Sequence, residues 1–244
     1  MHQPPCFLIN LDRNPERLRA ATTALAQIGL VPERVPAVEG RALGEAALRA
    51  HDAAALATIG RRLSPGEVGC FLSHVACAQI IVARDLPFAL VLEDDVALAP
   101  DTGADLVALL DLVGTRDFDL VNLGRAPSKF FRAEAALPSG RALGRAWYFP
   151  VTTSALFWSQ AGARRFLAEH RIAAPVDVFL QSWLSGTGRG LACAPALFGL
   201  SGAASEIGTG SGRKLDRARG YTALRLRRQA STLARAALGW LRRG

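Results

Sequence analysis

Nearly unbroken apolar runs alternate with segments that carry helix signals along most of the chain. The clearest runs are "CFLINL" (6–11), "FALVLEDDV" (88–96) and "FDLVNLG" (118–124). A strand that is apolar on both sides of its pleat must be covered on both faces, which is typical of a parallel sheet between helices. The alternation therefore predicts an α/β fold with a mixed, mostly parallel sheet flanked by helices.

The first residues of the predicted helices carry start signals. Asn14 and Pro15 favour a helix start after the first strand. Ser64, Pro65 and Glu67 have the spacing of a capping box, before a helix of about twenty residues. The other predicted elements are a strand and loop in "ERVPAVEG" (33–40), an Ala-rich helix over 42–57, a helix over 101–112, a connection over 125–146, a strand over 151–157, helices over 159–170 and 175–184, and a strand over 190–200.

The formal net charge of +8 is concentrated at one end of the sequence. Residues 213–244 contain ten Arg or Lys and one Asp, a net charge of +9, which leaves −1 for residues 1–212. Because the body is nearly neutral, we do not expect a nucleic-acid partner. A Gly/Ser-rich hinge over 201–213 suggests two parts, a main domain over 1–207 and a basic tail over 208–244.

The basic tail has the period of an amphipathic helix. At about 100° per residue, an apolar stripe lies opposite a row of arginines. The stripe contains Leu226, Ala230, Leu233, Ala237, Trp240 and Leu241, and the opposite side contains Arg227, Arg228, Arg235 and Arg242. This pattern favours an anionic membrane surface as the partner of the tail, with a helix packed on its own domain as the alternative.

The cysteines and the apolar segments indicate the compartment. The four cysteines lack CxxC spacing, so we expect buried thiols rather than a zinc site. They are Cys6, Cys70, Cys77 and Cys193. The first residues lack the features of a signal peptide, and no uninterrupted apolar run reaches the roughly 18–20 residues of a membrane span. We therefore expect a cytoplasmic protein.

Three adjacent carboxylates, Glu93, Asp94 and Asp95, directly follow an apolar strand. Grouping three negative charges costs free energy, and more where they are partly buried. Ligands of α/β sheets bind beyond the carboxyl ends of strands, where this acidic trio stands. A hard divalent cation prefers such oxygens and would also screen a nucleoside diphosphate. The trio therefore indicates a metal and sugar-nucleotide site, with a solvated acidic turn as the alternative.

Several spaced blocks together resemble glycosyltransferase family 25, which includes lipooligosaccharide glycosyltransferases and the catalytic domains of collagen galactosyltransferases. They are "FLINLDRNPERL", "LSPGEVGCFLSHVACAQII", "ALVLEDDVAL", "VTTSALFWSQAGARRFL", "PVDVFL" and, less firmly, "SGAASEIG". The resemblance implies a glycosyltransferase-A-like fold, a nucleoside-diphosphate sugar donor, Mn²⁺ or Mg²⁺, and inversion at the anomeric carbon. It further implies transfer of a hexose, first of all galactose from UDP-galactose, to a glycolipid or oligosaccharide acceptor of lipopolysaccharide, lipooligosaccharide or another surface polysaccharide.

The resemblance also implies roles for the acidic trio and the long helix before it. By similarity to D-x-D sites, Asp95 would be the direct metal ligand, Asp94 would bind metal and donor, and Glu93 would face the ribose or a metal-bound water. Ser73 and His74 would lie against the donor. For His74 the alternative is a core histidine bonded to a backbone carbonyl.

Residues that follow the first strand occupy the position where this fold binds the nucleotide. The resemblance therefore implies donor-binding roles for Asn10, Asp12 and Arg17. The Arg17 guanidinium would pair with the diphosphate. A pair with Asp12 or Glu16 is the alternative.

Inverting transfer needs a base that takes the proton of the acceptor hydroxyl. Asp177 is the candidate, because it opens a helix late in the chain, where such folds present the acceptor side. Glu206 is the rival, as base or near the metal, and a carboxylate that only favours the helix N-terminus is the structural alternative for Asp177. Two other functions stay open: a metal-dependent phosphoryl or nucleotidyl enzyme on a similar sheet, and a non-catalytic scaffold that docks on membranes.

Overall fold

The computed structural model describes residues 4–114, 116–202 and 220–243. The strands in these ranges are β1 (Cys6–Asn10), β2 (Glu33–Pro36), β3 (Phe88–Glu93), β4 (Val96–Leu98), β5 (Leu120–Asn122), β6 (Phe131–Ala136), β7 (Ala142–Ala146), β8 (Ala155–Ser159), β9 (Gly190–Ala194) and β10 (Phe198–Leu200). The helices are α1 (Pro15–Ala26), α2 (Glu45–Arg49), α3 (Asp52–Ile59), α4 (Pro65–Ala83), α5 (Thr102–Val113), α6 (Gln160–Glu169), α7 (Val176–Leu184) and α8 (Tyr221–Arg243), with a 3-10 turn at Gly40–Ala42.

Eight strands form one sheet in the order β2-β1-β3-β8-β5-β9-β7-β6. Six of them run in one direction, and β7 and β8 run in the other. Strands β4 and β10 form a separate antiparallel pair. The predicted mixed, mostly parallel α/β sheet is confirmed.

Helices cover both faces of the sheet because its central strands are apolar on both sides. Leu90 and Leu92 of β3 pack toward α1 and α5. Ala89 and Val91, which point the other way from the same strand, pack toward α4, α6 and α7. Burial on both faces explains why these strands are continuous apolar runs rather than alternating ones.

Helix α4 begins with the predicted capping box. The Ser64 hydroxyl accepts a hydrogen bond from the Glu67 backbone N–H, and the Glu67 carboxylate accepts one from the Ser64 N–H. By length and composition α4 would suit a membrane span, but more than half of it is buried in this fold. It is a core helix that carries Ser73 and His74 into the interior.

Four predicted segments differ from the structure. Residues 42–57 form two short helices, α2 and α3, and the strand predicted over 190–200 is two strands, β9 and β10. The connection predicted over 125–146 contains β6 and β7, whose mixed polar sequence gives no apolar run at this edge of the sheet. The strand predicted over 151–157 begins only at Ala155. The carbonyls of Pro150 and Thr152 accept hydrogen bonds from the Asn122 side chain rather than from the backbone of a neighbouring strand.

Helix α8 packs on the domain, which was the alternative to a membrane surface, through a face that only partly coincides with the predicted apolar stripe. Tyr221 and Leu224 lie against Gly60, and Gly239 lies against Gly186. Thr232 and Ala236 are buried in this contact, whereas Leu226 and Leu241 of the predicted apolar stripe are 59% and 77% exposed. Small residues allow the close contact with the domain. Half of the apolar stripe is exposed, whereas Trp240 of the same stripe contacts Phe130 of the domain. The predicted boundary at 207/208 lies outside the described residues.

The cysteine prediction is confirmed for three of the four residues. Cys6, Cys77 and Cys193 are free and buried in the core. Burial raises the pKa of each of these thiols to about 12, so they remain protonated and pack as small apolar groups. Cys70 is also free but only partly buried, and it lines a cavity described below.

Candidate active site

The ends of three neighbouring strands bring the predicted site residues together. β1 and β3 are parallel, with Ile9 opposite Glu93, so Asn10 lies beside the acidic trio. β8 is antiparallel to β3, and the Glu93 N–H donates to the Ser154 carbonyl at its entrance. The residues at the carboxyl ends of β1 and β3 therefore meet those at the start of β8.

Asp94 is held by two side chains from the first strand and helix. The Asn10 amide donates a hydrogen bond of 2.6 Å to Asp94 Oδ2, and the Arg17 guanidinium pairs with Asp94 Oδ1 at 2.5 Å. Asn10 is itself fixed, because its amide donates to the Asn14 carbonyl and its oxygen accepts from Arg34. Asp94 is thus a compensated carboxylate, and Arg17, for which the sequence left a pair with Asp12 or Glu16 as the alternative, pairs with Asp94.

Glu93 is oriented by His74 and Thr153. Its Oε1 accepts a hydrogen bond of 2.6 Å from the Thr153 hydroxyl and lies 3.2 Å from His74 Nε2. Burial alone would raise the pKa of Glu93, but the bonds to His74 and Thr153 hold it below its usual value. His74 is therefore a buried partner of a carboxylate, not a core histidine bonded to a carbonyl.

Asp95 differs from its two neighbours because its charge is poorly compensated. Its Oδ1 atom is buried without a hydrogen-bond partner, and its Oδ2 atom is 3.9 Å from the Arg17 guanidinium. Burial and the nearby Glu93 carboxylate raise the pKa of Asp95 to about 6. An unpartnered buried carboxylate oxygen beside a second carboxylate fits a hard divalent cation. Asp95 and Glu93 are thus the residues that would hold Mn²⁺ or Mg²⁺.

Cys70 completes a group of ligand-type atoms beside the trio. Its Sγ, one ring nitrogen of His74 and one carboxylate oxygen of Glu93 all lie within 4.8 Å of one another. Burial, and next the Glu93 charge, raises the pKa of Cys70 well above its usual value, so the thiol is protonated. A protonated thiol is a weak donor with little charge, and carboxylates remain the preferred ligands of a hard cation.

A first cavity opens beside Asn10, Arg17 and Asp94, and we call it the donor cavity because the sequence predicts donor-binding roles for these residues. Its far wall is the segment Ala37–Arg41, which rests on the start of α4. Ser73 supports this wall, because its hydroxyl accepts a hydrogen bond from the Val38 N–H and donates one to the Gly69 carbonyl. Ser73 therefore holds the wall of the cavity against α4.

Gly69 permits the close contact between α4 and the wall of the donor cavity. A Cβ atom at this position would lie 2.4 Å from the Val38 carbonyl oxygen and 2.8 Å from the Gly40 nitrogen. We expect Gly69→Ala to push the wall away and lower the free energy of unfolding by about 1–3 kcal/mol. Urea denaturation measures this change.

Gly114→Ala is the matched control for Gly69→Ala. A Cβ atom at Gly114 would meet nothing closer than 3.8 Å, and its φ is −56°. We expect the free energy of unfolding of this variant to differ from that of the parent by no more than about 0.5 kcal/mol. Equal urea midpoints for the two alanine variants would contradict the role of Gly69.

A second cavity, the acceptor cavity, has a volume of about 470 Å³ and contains Asp177 in its wall. Asp177 lies in the first turn of α7, and its Oδ1 accepts a 2.7 Å hydrogen bond from the Val178 N–H. Burial, and to a lesser degree the charges of Glu93 and Glu67, raises the pKa of Asp177. A carboxylate with a raised pKa in a cavity is suited to accept a proton.

The two cavities meet at the acidic trio. Cys70, Glu93 and Asp95 line both of them, with Arg17 and Asp94 on one side and Asp177 on the other. A ligand in the donor cavity and a ligand in the acceptor cavity would therefore approach each other at Glu93 and Asp95. This arrangement suits transfer of a group between two substrates.

The remaining predicted residues have different places. Asp12 lies outside both cavities, where its exposed side chain pairs with Arg34. Glu206 lies outside the described residues. The sequence analysis missed Thr153, which contacts Glu93 although no local pattern marks it. It left Cys70 among the buried thiols, although its spacing of four residues from His74 places both side chains on one face of α4.

Comparison with known proteins decides the family. Residues 3–134 match the model of glycosyltransferase family 25, described as an LPS biosynthesis protein family. The chain belongs to glycosyltransferase family 25. The matched residues include β1, α4 and the acidic trio, which are the elements that build the donor cavity.

The relatives of this family 25 chain include proteins named as inactive and proteins named as galactosyltransferases. It is 35% identical over 183 residues to the probable inactive glycosyltransferase 25 family member 3 of Bos taurus, covering 71% of this chain and 30% of that one. It is 31% identical over 183 residues to procollagen galactosyltransferase 2 of Homo sapiens, covering 71% and 29%. The chain thus spans about a third of the length of these relatives.

A solved structure is also similar, with a TM-score of 0.42 and 8% identity. It is a glycosyltransferase involved in glycosylation of the major capsid of PBCV-1, and the match covers 91% of this chain and 100% of that one.

Proposed function

We propose that this family 25 chain is an active inverting glycosyltransferase that moves a hexose from a nucleoside-diphosphate sugar to a glycan acceptor. The observation that carries the proposal is the junction of the donor and acceptor cavities at Glu93 and Asp95, with Asp177 across from them. The name of the procollagen galactosyltransferase relative supports galactose as the sugar. The family description supports an acceptor in lipopolysaccharide or another surface glycan.

The donor cavity offers the groups that a nucleoside diphosphate needs. Asp95 and Glu93 would hold Mn²⁺ or Mg²⁺, which would stabilise the charge of the departing diphosphate. Arg17 is held by Asp94 at the same edge and adds positive charge where the diphosphate would lie. Asn10, His74 and Thr153 act through the carboxylates that they orient, so we propose positioning roles for these three.

In the proposed transfer step, Asp177 acts as the base. The acceptor hydroxyl oxygen forms a bond to the anomeric carbon while the bond from that carbon to the diphosphate oxygen breaks. The bonding electrons leave with the nucleoside diphosphate, and Asp177 takes the hydroxyl proton. Because the acceptor attacks from the cavity opposite the diphosphate, the anomeric configuration inverts.

A turnover assay with UDP-galactose and a lipooligosaccharide acceptor tests the proposed function. We expect formation of a galactosylated product and UDP with Mn²⁺, and loss of both with excess EDTA. Release of inorganic phosphate without sugar transfer would indicate a phosphoryl enzyme instead. Absence of turnover with all common nucleotide sugars, while UDP binds, would favour a non-catalytic scaffold, as the names of the inactive relatives suggest.

We further propose that α8 docks the enzyme on the inner face of an anionic cytoplasmic membrane. Its outward face carries exposed Leu226 and Leu241, and the helix exposes arginines beside them, among them Arg227 and Arg242. Exposed leucines flanked by arginines suit the boundary between acyl chains and anionic headgroups. A lipid-linked acceptor would be reached from this position.

Binding to vesicles tests the membrane proposal. We expect the parent to sediment with phosphatidylglycerol vesicles, and Leu226→Ser combined with Leu241→Ser to weaken this binding at least about tenfold, because two apolar side chains are lost from the interface. Val31→Ser combined with Val107→Ser is the control, since these exposed valines lie outside α8. Equal binding by the two double variants would contradict the proposal.

A further inference from the structure

A third cavity lies between α8 and the body of the domain, and it is lined by arginines. Its volume is about 410 Å³, and among the residues that the structure describes its wall contains four arginines and no Asp or Glu. They are Arg61, Arg125, Arg225 and Arg228. The hydroxyls of Ser128, Tyr148 and Tyr221 and the amides of Gln181 and Gln229 also line it. A wall with this composition favours an anionic ligand that also offers hydroxyl groups.

Within the described ranges, three of the four arginines in this wall form no ion pair. Arg61 is neutralised by a two-pronged pair with Glu67, with both bonds at 2.8 Å. In the part of the chain that the structure describes, Arg125, Arg225 and Arg228 form no ion pair with a carboxylate. The Nε atom of Arg228 is in addition buried without a hydrogen-bond partner.

The position of Arg228 is electrostatically costly without a counter-ion. Burial, and to a lesser degree the positive charge of Arg225, lowers the pKa of Arg228 below its usual value, and the charge of Asp177 offsets only part of this effect. Arg228 is partly buried and Arg225, one turn before it, is exposed, so keeping both charged side by side costs free energy that a nearby anion offsets. A fold that keeps both cations beside an open cavity therefore has a favourable place for a negative group.

The arginine cavity adjoins the acceptor cavity. The two share the wall residues Arg61, Val151, Pro175 and Val178, and Asp177 lies between Val178 and Val176 in the acceptor wall. A glycan with its reacting hydroxyl at Asp177 would therefore extend toward Arg228. Helix α8 supplies Arg225 and Arg228, which gives the basic tail a role in the site that is separate from membrane docking.

We propose that the arginine cavity is an acceptor subsite for a negatively charged sugar, one that carries a phosphate or a carboxylate group next to the unit that is glycosylated. The statement that this sugar is part of the acceptor rests on the proposed function. The binding of an anionic sugar to the cavity does not depend on turnover.

A ligand-observed NMR titration tests this subsite, with glucose 6-phosphate, glucuronate and glucose as probes and with UDP and Mn²⁺ present to keep phosphates out of the donor cavity. We expect one or both charged sugars to bind at least about tenfold more tightly than glucose, since charge-assisted hydrogen bonds to a guanidinium are stronger than neutral ones. Preference for glucose 6-phosphate would identify a phosphorylated acceptor, and preference for glucuronate an acidic sugar. Equal binding of all three probes would overturn the inference.

Two double variants locate the binding. We expect Arg225→Gln combined with Arg228→Gln to remove the preference for charged probes, whereas Arg227→Gln combined with Arg242→Gln, which removes equal charge from the same helix outside the cavity, keeps it. Equal loss in both variants would show a diffuse charge effect and contradict the subsite. If UDP fails to bind the parent, the proposed function fails; if UDP binds and charged sugars do not, only the subsite fails.

Discussion

Asp95→Asn is expected to lower the rate of sugar transfer by about 10²–10³-fold, as loss of a group that stabilises developing charge does in other enzymes. The Oδ1 atom of the Asp95 carboxylate is buried and forms no hydrogen bond, so replacing the carboxylate by an amide removes no hydrogen bond at this atom. The metal-free variant should therefore be as stable as the metal-free parent, or slightly more stable, because a poorly compensated charge is removed.

Three measurements separate this expectation from a general effect of mutation. Steady-state transfer rates give the loss, Mn²⁺ titration gives the weakened metal affinity, and urea denaturation in EDTA gives the stability. Asp111→Asn is the control, because it makes the same chemical change on an exposed part of α5 outside both cavities. A variant at Asp95 that transfers sugar as fast as the parent would rule out the metal role.

Asp177→Asn is expected to lower kcat by about 10²–10⁴-fold, which is the usual contribution of a general base. The affinity for UDP and Mn²⁺ should stay unchanged, because Asp177 lines the acceptor cavity and not the donor cavity. Asp177→Glu should recover part of the activity, since it returns a carboxylate to the same wall.

The pH dependence of kcat gives a second test of Asp177. Its pKa is raised above the ordinary aspartate value by burial, and only the deprotonated form accepts a proton. Activity should therefore fall on acidification at a pH above the ordinary aspartate pKa, and Asp177→Glu should move this acidic limb. Full activity of Asp177→Asn together with loss of activity in Glu206→Gln would transfer the role of base to Glu206.

Sequence reasoning succeeded where local signals decide the structure. The capping box at Ser64 and Glu67 fixed the start of α4, because both bonds lie within one turn. The acidic trio was placed at a strand end because an apolar run directly precedes it, and the parallel neighbour β1 then brought Asn10 beside it.

Sequence reasoning failed where distant contacts decide the structure. Thr153 meets Glu93 only because β8 runs antiparallel to β3, a direction that no local pattern records. The strands β6 and β7 lie at the edge of the sheet, where partial exposure removes the apolar signal. The contact face of α8 is only partly the predicted apolar stripe, because Thr232 and Gly239 also pack by close approach and a hydrophobic pattern does not mark such small residues.

A crystal soaked with Mn²⁺ and UDP, with anomalous data collected for manganese, decides whether the acidic trio is the catalytic centre. We expect one strong anomalous peak in direct contact with Asp95 and Glu93, with the diphosphate of UDP on the same ion and the nucleoside in the donor cavity. A manganese peak at another place, with only water beside the Asp95 carboxylate, would contradict the site.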